Sequence, residues 1–257
     1  MQRCLSLALA AAVMAGGLIA QESGAPRPAE APKGRGPGGI NAANPVPALE
    51  ESGFQALSDG QTLKGWDFDP NVWRVEGGVI VGETTPEKAI KQNTFLIWSG
   101  GKPGDFELKF EYRLTGGNTG VQYRSVEVPG VKWGLKGYQG DIDAQQRYTG
   151  QIYEERGRGF LALRGQAAYV GAGKKSGMVG ALGSGEELKA LLKDGDWNAF
   201  HVIARGNTIV QIVNGRVMSL LVDDDVANRM IEGLIGFQVH TGPPMKLELR
   251  NVRLKTY

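Results

Sequence analysis

The alternation in residues 106–114, FELKFEYRL, restricts what this chain can form. Every second residue from Phe106 to Leu114 is apolar, and the residues between them are Glu, Lys or Arg. Side chains of a β-strand point alternately to its two faces, so this segment is predicted to be a strand with one buried and one solvated face. A second sheet or layer must cover the buried face.

Further strands are predicted along the rest of the chain after about residue 53. Residues 201–222 predict two or three strands that turn at Gly206-Asn207 and at Asn214-Gly215, because Asn-Gly favours tight hairpins. Glycine is abundant, 39 of 257 residues, which also favours turns over long helices. Further strands are predicted at 73–82, 94–98, 119–126, 160–164, 233–242 and 246–254.

One helix is predicted, at residues 184–195. Ser184 and Glu187 have the spacing of a capping box, and Leu188, Leu191 and Leu192 would form an apolar stripe. Many short strands with one short helix predict an all-β fold of the sandwich or barrel type.

The N-terminal fifth of the chain has a different composition. Residues 1–20 combine Arg3 with an apolar run that ends in small residues, which predicts a signal peptide and no integral membrane segment after cleavage. Residues 21–50 are rich in Pro, Gly and Ala and predict a disordered linker, so the folded domain is expected at 51–257. We therefore expect an exported protein, periplasmic or extracellular. Cys4 is the only cysteine, so the mature protein would have no thiol and no disulfide.

The small net charge bears on the choice of partner. The net charge of +2 gives no reason to expect nucleic acid or an anionic membrane as partner.

Polar rows on three predicted strands suggest a binding face. Gln122 and Arg124 share one face of their strand, and Gln238 and His240 share one face of theirs. If residues 138–143 are extended, Gln139, Asp141 and Asp143 form a third row. Amides, Arg, Asp and His in this arrangement indicate a groove for a hydroxyl-rich ligand. For any one residue an ordinary solvated face or a turn explains the pattern as well, and only the coincidence of three strands favours a site.

A metal ion is an open alternative for part of this face. Asp141 and Asp143 offer the oxygen ligands that a hard divalent cation prefers. The segment lacks the glycine and glutamate spacing of a calcium loop. No cofactor other than a divalent metal ion is suggested.

Seven short motifs in order resemble the 3-keto-disaccharide hydrolase domain family over almost all of residues 53–257. They are FQALSDGQTLKGW (54–66), WRVEGGVIVG (73–82), DFELKFEYRL (105–114), GGNTGVQYRS (116–125), GYQGDID with TGQIYEE (137–155), DWNAFHVIARGNTIVQIVNG (196–215) and GLIGFQVHTGPPMKLELRNVRLK (233–255).

The resemblance implies a concanavalin-like jelly-roll β-sandwich of two antiparallel sheets. Its implied substrate is a 3-keto-glycoside, cleaved by removal of the C2 proton and elimination of the glycosidic oxygen, with hydration as a possible further step. Many members of the family have Glu where this chain has Gln139, which leaves the base to be found among its other carboxylates.

The residue roles expected from this resemblance are as follows. Asp143 or Glu154 would be the base, Arg124 or a divalent ion would stabilise the enolate, and His240 would be the acid. The expected hydroxyl-binding residues are Asn118, Gln122, Gln139, Asp141, Tyr153 and Gln238. Two alternatives stay open, a non-catalytic carbohydrate-binding module on the same sandwich and a structural exported domain that binds no sugar.

Overall fold

The structure, a computed structural model, describes residues 51–257. This part of the chain has seventeen strands, a 3₁₀-helix at Pro86–Lys88 and one α-helix, α1, at Gly185–Lys189. The first nine strands are β1 (Gln55–Ala56), β2 (Trp66–Asp67), β3 (Trp73–Glu76), β4 (Val79–Thr84), β5 (Thr94–Trp98), β6 (Phe106–Thr115), β7 (Asn118–Glu127), β8 (Leu135–Asp143) and β9 (Ile152–Glu155). The others are β10 (Gly159–Ala162), β11 (Gln166–Val170), β12 (Gly177–Ala181), β13 (Asn198–Arg205), β14 (Thr208–Val213), β15 (Arg216–Asp223), β16 (Leu234–Val239) and β17 (Met245–Thr256).

The strands form two sheets. The seven-stranded sheet has the order β10-β9-β8-β7-β16-β5-β2. The ten-stranded sheet has the order β12-β11-β15-β14-β13-β6-β17-β4-β3, with β1 also paired to β17. The all-β two-sheet fold predicted from the sequence is confirmed. The pairing is antiparallel except between β11 and β15, which run parallel.

Aromatic side chains fill the space between the sheets. The ring of Phe110 on β6 stacks on Phe200 of β13 at 5.2 Å and meets Phe237 of β16 edge-on at 5.0 Å. Phe110 and Phe200 belong to the ten-stranded sheet and Phe237 to the seven-stranded sheet. These contacts tie the two sheets together, and all three side chains are almost completely buried.

The predicted helix is shorter than the sequence suggested. Ser184 and Glu187 do form the capping box, but α1 ends at Lys189. The backbone N–H groups of Leu191 and Leu192 each donate to the carbonyl three residues earlier, so the chain tightens into turns. Of the three leucines expected to form an apolar stripe, only Leu188 is buried. The other two lie after the end of the helix, so they do not share its buried face.

The predicted signal peptide and linker, residues 1–20 and 21–50, lie outside the described residues and stay predictions. Within residues 51–257, the structure has no helix of the length and hydropathy needed to span a membrane.

We expect Phe237→Ala to lower the free energy of unfolding by about 3–5 kcal/mol, because it removes a large buried side chain from between the sheets. Phe160→Ala is the matched control, since Phe160 is 42% exposed and its loss should cost less than about 1 kcal/mol. Urea unfolding followed by tryptophan fluorescence would measure both. Equal losses in the two variants would contradict this account of the core.

Candidate functional site

The outer face of the seven-stranded sheet, which points away from the ten-stranded sheet, carries the polar row predicted for β8. Tyr138 and Ile142 pack into the core between the sheets. Because side chains alternate along a strand, Gln139 and Asp141 point to the outer face. Gln122 of β7 lies directly opposite Gln139 across the strand pair. Gln122, one member of the row predicted for β7, thus meets the predicted row of β8 on one face.

A cavity of about 370 Å³ lies over this face. Its lining combines five residues that the sequence analysis singled out with three that it did not. The lining residues are Asn118, Gln139, Asp141, Tyr148, Tyr153, Glu155, Phe160 and His240. We call this cavity the sheet pocket.

Two amides connect the sheet to Asp141. The Gln122 Nε2 donates to Gln139 Oε1 at 3.2 Å, and the Gln139 Nε2 donates to Asp141 Oδ1 at 2.8 Å. Both ends of the Gln139 amide are therefore used, and the rotamer of the Asp141 carboxyl is held from one side. The second oxygen of Asp141 is left for a ligand or solvent.

Asp141 is the most perturbed carboxyl of the sheet pocket. Asp141 is only 5% exposed, and this burial raises the pKa of its carboxyl from the usual acidic range to about 7. The negative charges of Asp143 and Glu155 raise the pKa further, and the hydrogen bond from Gln139 opposes the rise. A carboxyl that titrates near neutral pH can accept a proton in one step and release it in the next.

Two buried amides on the outer face of the seven-stranded sheet have atoms without a partner. Within residues 51–257, Gln238 forms no hydrogen bond through either side-chain atom, and the Gln122 Oε1 also lacks a partner. Both side chains are completely buried. Buried amide atoms are normally hydrogen-bonded, so these atoms favour a polar molecule, water or ligand, beside the sheet.

His240 and Tyr153 complete the polar lining. The His240 Nδ1 contacts the carbonyl oxygen of Thr241, so this nitrogen carries the proton and Nε2 is the free ring atom. Burial, followed by the charges of Glu155 and Asp141, raises the pKa of Tyr153 above its ordinary value. The Tyr153 hydroxyl therefore keeps its proton at neutral pH and acts as a hydrogen-bond donor.

Residues 53–255 match the family described as the 3-keto-alpha-glucoside-1,2-lyase-like domain. The chain belongs to this family. No protein with a curated function matches the sequence. The resemblance inferred from the seven motifs is thus confirmed at the level of the family.

Solved structures agree with the fold. A glycosyl hydrolase candidate from Parabacteroides distasonis ATCC 8503 superposes with a TM-score of 0.53 at 20% identity, covering 82% of this chain and 98% of its own. A second one from the same organism gives a TM-score of 0.51 at 17% identity, covering 79% and 99%. A Bacillus subtilis protein with a galectin-like fold gives 0.50 at 12% identity, covering 76% and 90%. At these identities the likeness supports the β-sandwich and nothing finer.

In this member of the family, Asp143 organises a loop. Its carboxylate accepts hydrogen bonds from the backbone N–H groups of Arg147, Tyr148 and Thr149 at 3.0, 2.8 and 3.2 Å. The expected divalent-ion pair of Asp141 and Asp143 does not fit this arrangement, because the Asp143 oxygens already serve the loop. The described residues 51–257 also contain no group of three His, Cys, Asp or Glu side chains suited to a metal.

Arg124 does not share the outer face with Gln122, contrary to the sequence expectation. The strand is irregular here, with φ of 47° at Arg124, and its pairing with β8 shifts between Tyr123 and Val126. The guanidinium donates to the carbonyls of Gly104 and Gly206 and pairs with Asp105 at 3.2 Å. Its partners lie at the ends of ten-stranded-sheet strands, so Arg124 ties the two sheets together.

The irregularity at Arg124 depends on a close backbone neighbour. Gly233 passes so near that a Cβ there would lie 2.5 Å from the carbonyl carbon of Arg124. Only glycine fits this position. The two-residue period that predicted the position of Arg124 breaks down at such an irregularity.

Glu154 is also placed away from the sheet pocket. It lies opposite Tyr138 on the inner face, where Arg158 Nε donates to its Oε2 at 2.7 Å. The same guanidinium pairs with Asp223 at 2.6 Å, and Tyr138 donates to Asp223 as well. Glu154 therefore belongs to a buried ion cluster between the sheets. The expected role of Glu154 as base in the groove conflicts with this geometry.

Three lining residues were missed by the sequence analysis. Tyr148 lies in the loop held by Asp143, Glu155 follows Tyr153 by two residues, and Phe160 lies opposite Tyr153 across the β9–β10 pair. Alternation along β9 places Tyr153 and Glu155 on the same face, so a two-residue period applied to this strand would have found both. No sequence signal indicates that the loop brings Tyr148 back to the sheet.

We expect Asp141→Asn to raise the free energy of unfolding at pH 8. The folded protein binds the Asp141 proton more tightly than the unfolded chain does, so wild-type stability falls as pH rises from about 4 to about 7. Asparagine does not ionise, so the variant does not lose stability over this pH range. Its side-chain oxygen can still accept the hydrogen bond from Gln139. The gain should reach about 4 kcal/mol above pH 7 and disappear near pH 4, as measured by denaturant unfolding across pH.

Asp59→Asn is the control of opposite sign. Backbone N–H groups of Thr62 and Gln61 lower the pKa of Asp59 to about 2, so its stabilising effect is present above pH 4 and lost in acid. This variant should be less stable than wild type at pH 8. A pH-independent effect of Asp141→Asn would contradict the raised pKa.

Proposed function

We propose that the protein cleaves 3-keto-glucosides by β-elimination across C1 and C2 of the oxidised ring. The observation that carries the proposal is the buried Asp141, whose carboxyl titrates near neutral pH in a polar pocket on a β-sandwich of this family. A ketone at C3 makes the C2 proton acidic, and a base with a pKa near 7 is suited to remove it at neutral pH.

The reaction balances without an added reactant. The C2–H and C1–O bonds break, a C1=C2 double bond forms in conjugation with the C3 ketone, and the leaving oxygen gains a proton. Addition of water to the double bond would then give the free keto sugar, so that the net result is hydrolysis. Asp141 takes the C2 proton, and a second group must supply the proton of the leaving alcohol.

The order of strands supports the other assignments. Across the seven-stranded sheet, Tyr153 on β9 lies on one side of Asp141, and Asn118 on β7 with His240 after β16 lie on the other. In the sugar, C1 and C3 lie on opposite sides of C2. We assign Asn118 to the C3 oxygen, where the enolate charge develops, and Tyr153 to the glycosidic oxygen. His240 lies on the Asn118 side, where its free Nε2 would accept a hydrogen bond from a ring hydroxyl. These roles replace the expected ones, in which Arg124 stabilised the enolate and His240 was the acid.

Tyr153 is a suitable donor to the leaving group in spite of its raised pKa. A departing alkoxide is far more basic than a phenolate, so transfer of the phenolic proton is downhill. Gln139 lines the pocket and would contact ring hydroxyls, while the amides of Gln122 and Gln238 are buried beside it and would act through water. The glutamate common in the family at position 139 is replaced here by Gln139, which orients Asp141.

One observation favours a second function, carbohydrate binding without catalysis. The pocket is lined by aromatic rings and amides, which are the groups of a sugar-binding surface, and the fold alone does not distinguish the two functions. Retained sugar binding with no turnover of any keto-glycoside would favour this function.

We expect Asp141→Asn to lower kcat/KM on a 3-keto-α-glucoside at least about a hundredfold, the usual size of an acid–base contribution. Wild-type kcat/KM should rise with pH through about 7, as Asp141 ionises. Enone absorbance and released alcohol would be measured with the purified protein on 3-keto-trehalose and 3-keto-β-glucosides. Glu154→Gln, the same chemical change in the buried ion cluster, should change kcat/KM less than tenfold. A hundredfold loss in Glu154→Gln with none in Asp141→Asn would reverse the assignment.

We expect the effect of Tyr153→Phe on turnover to depend on the leaving group. A methyl 3-keto-glucoside needs a proton on its departing oxygen and should lose about a hundredfold in kcat. A p-nitrophenyl 3-keto-glucoside leaves as a weakly basic phenolate and should lose much less. Equal losses on both substrates would show that Tyr153 does not protonate the leaving oxygen.

We also propose that the protein acts after export, on the support of the signal-like residues 1–20 alone. Intact mass and N-terminal sequencing of the secreted or periplasmic protein would test this. A cytoplasmic protein that retains Met1 would contradict it.

A further inference from the structure

Three aromatic rings meet at one end of the sheet pocket. Phe160 stacks on Tyr148 with ring centroids 5.7 Å apart and the planes 24° from parallel. Tyr153 meets Phe160 edge-on at 5.0 Å. Tyr148 and Phe160 are 38% and 42% exposed, although apolar rings in contact usually lie inside a protein. We call these three side chains the aromatic platform.

The aromatic platform is held in place before any ligand arrives. Tyr148 lies in the loop whose backbone is fixed by Asp143, with 2.8 Å between the Tyr148 nitrogen and Asp143 Oδ1. On the other side of Tyr148, the Gln151 Nε2 donates to the carbonyl of Arg147 at 2.8 Å. Phe160 and Tyr153 lie opposite each other on paired strands. A rigid ring surface loses little conformational entropy when a ligand covers it.

The position of the aromatic platform relative to Asp141 is set by the sheet. Phe160 on β10 is two strands from Asp141 on β8, a distance of about 10 Å across the sheet. It lies on the Tyr153 side of Asp141 and on the opposite side from His240. A ring joined through an oxygen that Tyr153 contacts would extend over Phe160.

We propose that the aromatic platform is a stacking site for the leaving group, and that it selects glycosides whose leaving group is a ring with an apolar face. An arene and the C–H face of a pyranose both have this chemistry. The orientation of the ligand rests on the proposed function, because it assumes that the oxidised sugar lies over Asp141. The stacking itself depends only on the exposed rings.

Direct binding of unoxidised glycosides tests the stacking without any reaction. Methyl α-glucoside, p-nitrophenyl α-glucoside and maltose would be titrated into the wild-type full chain by calorimetry or NMR. We expect p-nitrophenyl α-glucoside or maltose to bind about tenfold more tightly than methyl α-glucoside, the effect of covering one aromatic face. Tighter binding of p-nitrophenyl α-glucoside indicates that the site takes an arene, and tighter binding of maltose indicates that it takes a pyranose.

Variants of the aromatic platform should remove this preference. We expect Phe160→Ala and Tyr148→Ala each to reduce the ratio of affinities at least about fivefold, and Phe160→Trp to keep it. Tyr169→Ala is the matched control, because Tyr169 is 41% exposed but lies on β11 of the ten-stranded sheet. An unchanged ratio in both Phe160→Ala and Tyr148→Ala would overturn the proposal, as would an equal loss in Tyr169→Ala.

Turnover separates this proposal from the proposed function. With 3-keto-glucosides, Phe160→Ala should raise KM for the ring-bearing substrates relative to KM for the methyl glycoside. If no keto-glycoside is cleaved but the binding preference is lost in Phe160→Ala, the stacking site stands and the enzyme assignment fails. If cleavage occurs and the preference never exists, the enzyme assignment stands and the stacking site fails.

Discussion

The alternation of side chains across a single packed sheet is the constraint on which this protein depends. Tyr138 and Ile142 must face the ten-stranded sheet, because burying them with Phe110 and Phe237 holds the sandwich together. Gln139 and Asp141 are then forced to the other face of the same strand. The site is a geometric consequence of the core.

Hydrogen bonding gives two equally buried carboxylates different surroundings. Asp143 lies two residues from Asp141 on the same strand, yet its oxygens are occupied by backbone N–H groups of a loop. Asp141 receives one amide hydrogen bond and little solvent, so its neutral form is favoured and its pKa rises. A chain of two amides therefore holds a carboxyl whose raised pKa suits proton transfer at neutral pH.

Two arginines, Arg124 and Arg158, have a structural role that differs from the role of the pocket residues. Arg124 joins turns of the ten-stranded sheet, and Arg158 joins Glu154 to Asp223. Each guanidinium spans two sheets with several hydrogen bonds, which its planar fork allows. Such residues resemble catalytic ones in a sequence, because buried structural ion pairs and active sites use the same charged groups. Their backbone context distinguishes them.

The local sequence pattern predicted the strands well, but it predicted only some of the residues at the candidate site. Gln122, Gln139, Asp141 and Gln238 were expected on polar rows, and the structure places all four on the outer face, because regular strands obey a period of two. Arg124 was misplaced, because one left-handed residue and a glycine on a neighbouring segment break that period. Tyr148 was missed, because a loop anchored by Asp143 brings it to Phe160 from outside any strand.

The sequence by itself determined the all-β class, the positions of most strands, the family and the amide-rich face. These follow from local alternation, turn residues and ordered motifs, which are properties of short segments. Only the tertiary structure decided that the pKa of the buried Asp141 is raised to near neutrality, which arginines are structural, and which aromatic rings meet at the pocket. Desolvation and long-range contacts set these properties, and both depend on residues that are distant in the chain and adjacent in the fold.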